Sequence, residues 1–265
     1  MEFISITNDP MVARLFESAG IHDVMVDLEI IGKQERQQGL NTVISCHSMD
    51  DISTIRNVLT KSNLLVRVNP IHAGSKDEIE EVIARKADIV MLPMFTTAEE
   101  VAQFVEAIEG RAKVYLLLET AQAMVRIDDI LAVNGIDAIH IGLNDLSISM
   151  GLDFLYEPLI GGIVEYICSK IKVHKIKYGF GGVSRLSRGK LILSEHFRLW
   201  SQMVIINRDF RYYMESYEEI IQTVDMKYEI DLINEYLESL VTKDAEYLES
   251  NRIKLVAEIK SQIRS

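Results

Sequence analysis

Eight short apolar, β-branched runs recur along the chain up to residue 206, and stretches with helical periodicity lie between them. The runs are 3–6 (FISI), 23–28 (DVMVDL), 64–68 (LLVRV), 88–92 (DIVML), 113–118 (KVYLLL), 137–142 (DAIHIG), 177–181 (KYGFG) and 203–206 (MVII). The intervening pattern predicts helices over 10–19, 50–60, 76–86, 97–108, 121–133, 156–175 and 190–199. Alternation of this kind signals an α/β fold with a parallel sheet, and eight strands with helices between them fit a closed barrel better than an open sheet. A chain of 265 residues suits a single (β/α)8 TIM barrel. Segment 29–49, which contains Lys33, Arg36 and Gly39, departs from the pattern and reads as a short helix plus an irregular loop.

From residue 213 onward there is no Gly or Pro, and Ile220, Ile221, Val224, Leu232, Ile233, Leu237, Leu240 and Val241 recur at helical spacing. Residues 1–212 are therefore expected to form the catalytic barrel and residues 213–265 a helical C-terminal extension. A barrel needs one helix after its last strand, so the rest of the extension must pack across the barrel or against a second subunit. The subunit contact is favoured, which makes a homo-oligomer the expectation.

Composition narrows the partners. With 48% hydrophobic and 26% charged residues, and no apolar run near the ~20 residues that span a bilayer, the chain reads as cytoplasmic. The N-terminus, MEFISITNDP, has neither the basic nor the long apolar region of a secretory signal. Cys46 and Cys168 fit no disulfide framework and no zinc motif, and are expected as reduced thiols. A net charge of −12 repels nucleic acid and anionic membrane alike.

In a barrel of this type the active site lies at the C-terminal ends of the strands, so polar residues that follow apolar runs are the candidates. These are Asp27 and Glu29 after the second strand, Arg67 and Asn69 at the third, Glu119 and Thr120 after the fifth, and Asn144 and Asp145 after the sixth. Glu119 ends VYLLLET and Asp145 closes IHIGLNDLS, so two carboxylates at neighbouring strand mouths can reach one hard cation. Two protein ligands leave positions for water and substrate oxygens, as Mg²⁺ and Mn²⁺ commonly have. Taken singly, each acid also suits a helix N-cap or a first helical turn. Arg67 sits in an apolar strand, where an unpaired guanidinium is very costly, so it needs an anion. That anion is either Asp27 or Glu29, or the carboxylate or enolate oxygen of a substrate. Gly142 ahead of Asn144, and Gly181 and Gly182 of GFGG, can bring backbone amides close to a ligand. The six histidines form no ligand cluster, and His140 reads as a hydrogen-bonded core residue.

The blocks FESAGIHDVMVDLE, LLVRVNP, ADIVMLPMFTTAEEV, LLLETAQAM and GIDAIHIGLNDLSISMG resemble, in order, the HpcH/HpaI 2-oxo-acid aldolase and citrate lyase β-subunit family over residues 1 to about 185. The resemblance implies a phosphoenolpyruvate/pyruvate-binding type of TIM barrel, metal ligands on Glu119 and Asp145, and Arg67 as the group that holds the carbonyl and enolate oxygen. VDLE with Lys33 and Arg36 resembles the citrate lyase side, whereas TTAEEV and NDLSISMG resemble the aldolase side. Three positions depart from the family's pattern. Ile30 follows Glu29 where the aldolases carry an acid/base histidine, Ala84 falls where its aspartate partner would stand, and Leu117 replaces a glutamine.

The expected activity is that of a carbon–carbon lyase, a class II aldolase-like enzyme that forms the enolate of pyruvate or a related 2-oxo acid with Mg²⁺ or Mn²⁺ as cofactor. Its partners are a small 2-oxo acid with an aldehyde or CoA ester. With the histidine absent, the base is metal-bound water, Asp27 or Glu29, or His47 if the 40s loop folds over the site, with metal-bound water ranked first. Two alternatives stand beside this: a citrate-lyase-like acyl or CoA-ester lyase, and a barrel used for binding or assembly without turnover.

Overall fold

The computed structural model describes residues 1–33 and 47–263. Arg36, Gly39 and Cys46 lie outside the described residues. Eight parallel strands close into a barrel in sequence order: β1 (Glu2–Ile6), β2 (Asp23–Asp27), β3 (Asn63–Arg67), β4 (Ile89–Leu92), β5 (Lys113–Leu118), β6 (Ala138–Ile141), β7 (Lys177–Val183) and β8 (Met203–Ile206), with β8 pairing back onto β1. All eight expected strands are present.

Outside them lie α1 (Pro10–Ala19), α2 (Met49–Arg56), α3 (Ser75–Ala84), α4 (Ala98–Ile108), α5 (Ala121–Val125), α6 (Ile127–Leu131), α7 (Leu143–Ser149), α8 (Glu157–Ile160), α9 (Ile163–Val173) and α10 (Leu186–Arg198). Local signals account for their limits. Asp9 accepts from the amides of Met11 and Val12 to start α1, with Pro10 at its first position, and Gly20 ends it at φ 94°. The continuous helix expected over 156–175 divides at Gly161 and Gly162, where Gly162 takes φ 85°. Helix α7 was not foreseen, because seven residues are too few to establish a period.

The strand period of two sorts side chains between two cores. Ile4, Met25, Leu65, Met91, Tyr115, Leu117, Ala138 and Met203 fill the barrel, while the alternate residues pack outward against the helices. On β2 and β3 the register pairs Asp23 with Asn63, Met25 with Leu65 and Asp27 with Arg67, so the inward face has a polar base, an apolar middle and a charged top.

Beyond β8 the chain makes a 3-10 turn (Arg208–Arg211) and three helices: α11 (Tyr217–Thr223), α12 (Met226–Leu240) and α13 (Ala245–Ile263). Helix α12 packs on α1 and α10, and α13 on α10 and α8. Ile220, Ile230, Ile233, Leu240, Leu255 and Ile259 join the same apolar core as Val12 and Phe16 of α1. The apolar stripe, for which the sequence favours a subunit contact over packing across the barrel, is thus largely buried on its own barrel. The reason is that α12 fills the place of the eighth outer helix and α13 folds back over α10.

Candidate active site

The strands deliver the candidate residues to one end of the barrel. Asp27 and Arg67 are the last residues of β2 and β3, Glu119 follows β5, and Gly142 follows β6. Glu29, Glu119 and Asp27 are almost completely buried, and the Arg67 side chain keeps 13% of its surface.

Arg67 is gripped along one edge. Its Nε donates to Asp27 Oδ1 at 2.8 Å and its Nη2 to Asp27 Oδ2 at 2.7 Å, a bidentate pair of the kind guanidinium and carboxylate planes favour. Lys33 Nζ donates to the same Oδ2 at 2.8 Å and lies 3.5 Å from Glu29 Oε2, while Arg67 Nε lies 3.6 Å from that oxygen. Two cations and two carboxylates therefore neutralise one another in a space closed to water. Burial by itself would raise the Asp27 carboxyl, but Arg67 and Lys33 outweigh it and hold the group well below the usual carboxylate range. Burial likewise pulls Arg67 down, and Asp27, Glu29 and Glu119 together raise it above its ordinary value. Both readings of Arg67 therefore bear on its role: Asp27 is its anchor, and among the described residues Nη1 enters none of these hydrogen bonds.

This arrangement counts against Asp27 among the alternative bases. A carboxylate held ionised by two cations has little affinity for a further proton. His47 is also recast. Its Nδ1 accepts from the Asp27 amide at 3.0 Å, and burial lowers its pKa, so the neutral ring carries its proton on Nε2 and presents a donor. Glu29 Oε2 keeps the longer contacts, 3.5 Å to Lys33 Nζ and 3.6 Å to Arg67 Nε.

On the far side of the mouth, Glu119 Oε1 accepts from the amide of Met94 at 3.2 Å. Met94 takes φ 54°, a left-handed conformation that is uncommon for an unbranched non-glycine residue and aims its amide at the carboxylate. The N-cap role that Glu119 could have taken falls to Thr120, whose Oγ1 accepts from Ala123. Gly142 caps α7, and a Cβ built on it would lie 2.7 Å from Glu119 Oε2. Asp145 stands in the first turn of α7, three residues beyond that glycine. The glycine thus leaves room for the Glu119 carboxylate at the mouths of two adjacent, paired strands. No group of three or more His, Cys, Asp or Glu placed to hold a metal occurs among the described residues. A two-carboxylate donor set with oxygen-only ligands nevertheless fits a hard divalent cation that retains water.

The glycines of β7 are closely packed against neighbouring elements. Gly181 takes φ 53°, its carbonyl accepts from His140 Nε2 at 2.9 Å, and a Cβ there would strike Leu143. Gly182 stays partly exposed beside Asn207. His140 is fully buried and burial pushes it down to about 4, in keeping with a core residue.

Asn69 and Lys33, both singled out in the sequence, make contacts that the sequence does not foretell. Asn69 Oδ1 accepts from the amides of Ile30 and Ile31 and so shapes the loop after β2, and Lys33 returns along that loop to Asp27. Neither contact has a local signal, since each joins residues that are distant in sequence or lie within an irregular loop.

The model of the HpcH/HpaI aldolase/citrate lyase family matches residues 1–157. The 2-keto-3-deoxy-L-rhamnonate aldolase of Escherichia coli K12 is 28% identical over 148 residues, which cover 44% of this chain and 55% of that protein. The chain thus spans about half the length of the curated relatives it matches. Among solved structures, an HpcH/HpaI aldolase from Desulfitobacterium hafniense DCB-2 aligns with a TM-score of 0.63 at 17% identity, over 80% of this chain and 89% of that one. The citrate synthase SbnG aligns with a TM-score of 0.62 at 18% identity, over 80% and 88%. At such identities the structural likeness speaks to the fold alone. No helix among the described residues is long and apolar enough to cross a membrane.

Proposed function

The chain belongs to the HpcH/HpaI aldolase/citrate lyase family, and from that premise we propose that it is a carbon–carbon lyase that forms the enolate of a 2-oxo acid at the mouth of its barrel. The observation that carries this is Arg67, fixed by Asp27 through Nε and Nη2 with Lys33 balancing the same carboxylate. An arginine whose charge was cancelled by Asp27 and Glu29 together would not attract an anion. Lys33 restores the balance, so that the guanidinium can meet an enolate oxygen with its remaining edge.

Glu119 and Asp145 would hold Mg²⁺ or Mn²⁺. When bound, the cation supplies Lewis-acid stabilisation of the charge that develops on the keto oxygen. The chain's own residues divide the remaining work. Arg67 orients the keto oxygen and balances its developing charge, which is worth several kcal/mol in a site that excludes water. The Gly142 and Gly181–Gly182 backbone leaves room for the carboxylate end. Glu29 takes the proton: from the hydroxyl next to the scissile bond during cleavage, or from the methyl carbon during exchange. In cleavage the O–H electron pair becomes the aldehyde carbonyl, the broken carbon–carbon pair becomes the enolate double bond, and the displaced carbonyl pair rests on the keto oxygen. His47 Nε2 stands on the same side as a hydrogen-bond donor.

The acyl-lyase alternative drew on Lys33 and Arg36. Lys33 is committed to Asp27, which removes part of that support. The test is deuterium exchange into pyruvate, followed by NMR with Mn²⁺ present and absent. Exchange that requires the metal and fails in Glu29→Gln and Arg67→Lys is expected. A fully folded, Mn²⁺-loaded protein that exchanges no deuterium and decarboxylates no oxaloacetate would instead favour a barrel without turnover.

A further inference from the structure

The loops after β7 and β8 carry a concentration of positive charge that the enolate chemistry does not use. Arg185 and Arg188 begin the β7 side, and Arg208 and Arg211 lie on the 3-10 turn after β8. The two sides interlock: Arg188 Nη1 donates to Asp209 Oδ1 at 2.9 Å, and the Arg185 guanidinium lies over the Tyr212 ring at 3.4 Å. In a chain of net charge −12, four guanidiniums here meet two carboxylates, Asp209 and Glu215.

Glu215 has an informative position. One of its oxygens is taken by Arg208 Nη2 and the other by Arg211 Nη2, the latter at 2.9 Å, yet its side chain is 57% exposed. A half-exposed carboxylate is thus seated where an oxyanion would sit between two forks. Arg211 is buried, with 8% of its side chain accessible, and its Nη1 has no hydrogen-bond partner among the described residues. Burial, and then the neighbouring Arg208, pull Arg211 down to about 10. The backbone that carries Tyr212 over Arg185 is unusual as well: Tyr212 and Tyr213 are consecutive bulky residues at φ 54° and 63°. Arg188 also lines a cavity of about 90 Å³ that reaches Gly182 and Ser184 and is walled by Ile192 of α10 and by Leu255, Glu258 and Ile259 of α13.

We propose that Arg208 and Arg211, flanked by Arg185 and Arg188, bind a phosphate group at the far end of the substrate, displacing Glu215. Guanidinium forks match phosphate oxygens two by two, and the mouths of the seventh and eighth strands are where barrels of this type commonly hold phosphate. The inference deepens the lyase reading, and rests on it for the direction in which the substrate lies.

The experiment is calorimetric titration of the full chain with inorganic phosphate, followed by competition with glycolaldehyde phosphate and with coenzyme A. Arg208→Gln, whose side chain is partly exposed and so tolerates change, should weaken phosphate binding at least about tenfold. Glu215→Gln should tighten it severalfold by removing the internal competitor. Displacement by glycolaldehyde phosphate identifies a phosphorylated aldehyde, and displacement by coenzyme A a thioester; either result supports the assignment. Phosphate binding that neither competes for, binding unchanged by Arg208→Gln, or no binding by the wild type and Glu215→Gln would overturn it. Arg208-dependent phosphate binding in a protein that exchanges no pyruvate deuterium would refute the lyase reading and leave the anion site in place.

Discussion

Gly142 and Glu119 occupy adjacent strand mouths so closely that a single methyl group on the glycine would lie 2.7 Å from the carboxylate oxygen Oε2 and 3.0 Å from its Cβ. The glycine's φ is −81°, so its place is secured by the space it leaves and not by a backbone only glycine can adopt. Gly142→Ala should therefore push the carboxylate aside without unfolding the barrel. Mn²⁺ affinity measured by calorimetry is expected to fall at least about tenfold, as for loss of a supporting contact at a metal site. Affinity within twofold of wild type would detach the glycine from the site.

Removing either acid makes the direct test. Glu119→Gln and Asp145→Asn preserve size and remove one anionic ligand each, so Mn²⁺ binding should be lost while circular dichroism and melting temperature stay near wild type. Binding that survives both substitutions would place the cation elsewhere.

The Asp27 network predicts different consequences for its members. Asp27→Ala strands Arg67 and Lys33 in a buried space, and breaking a buried ion pair from one side costs about 3–5 kcal/mol, read as a lower urea midpoint. Arg67→Lys keeps a cation beside Asp27 but loses the two-pronged contact, so the fold should persist while deuterium exchange drops at least about tenfold. Equal loss of stability in both variants would make Arg67 a structural residue.

At the opposite end of the barrel, Asp23 is fully buried, accepts from Asn63 at 2.8 Å, and is raised by burial to about 6. A folded-state pKa above the unfolded value means that stability is fully present below about pH 4 and is lost as pH rises through about 6. From the shift between 3.8 and about 6, at roughly 1.4 kcal/mol per pH unit, the penalty at neutral pH is about 3 kcal/mol. Asp23→Asn should thus melt higher than wild type at pH 8, with a gain that shrinks toward pH 4. A gain that is constant across that range would show that charge at Asp23 is not its source.

Truncation after residue 213 removes α11, α12 and α13 from the faces of α1, α8 and α10. It should expose the core positions that Ile230, Ile233, Leu240 and Leu255 cover, giving aggregates in light scattering. A defined, well-folded smaller species would support the subunit exchange first expected from the apolar stripe.

Much of the barrel was legible in the chain itself because its signals are local. Alternation of β-branched runs with amphipathic stretches is set by the strand period of two and the helix period of 3.6, and each run is long enough to display its period. The same logic brought Asp27, Arg67, Glu119 and Gly142 to one end, since a polar residue that closes an apolar strand must lie at its mouth. What those residues do to one another was decided by tertiary structure. That Asp27 is an anchor and not a base depends on Arg67, 40 residues away, and on Lys33 returning through an irregular loop. That His47 presents a donor depends on the Asp27 amide, and the shared grip of Arg208 and Arg211 on Glu215 depends on a turn at Tyr212 and Tyr213 that no residue preference announces. The apolar stripe of the extension was readable as helical, but its partner was not, because hydrophobic attraction is non-directional and a stripe carries no address. Only closure of the barrel left a vacant eighth position between α10 and α1 for α12 to fill.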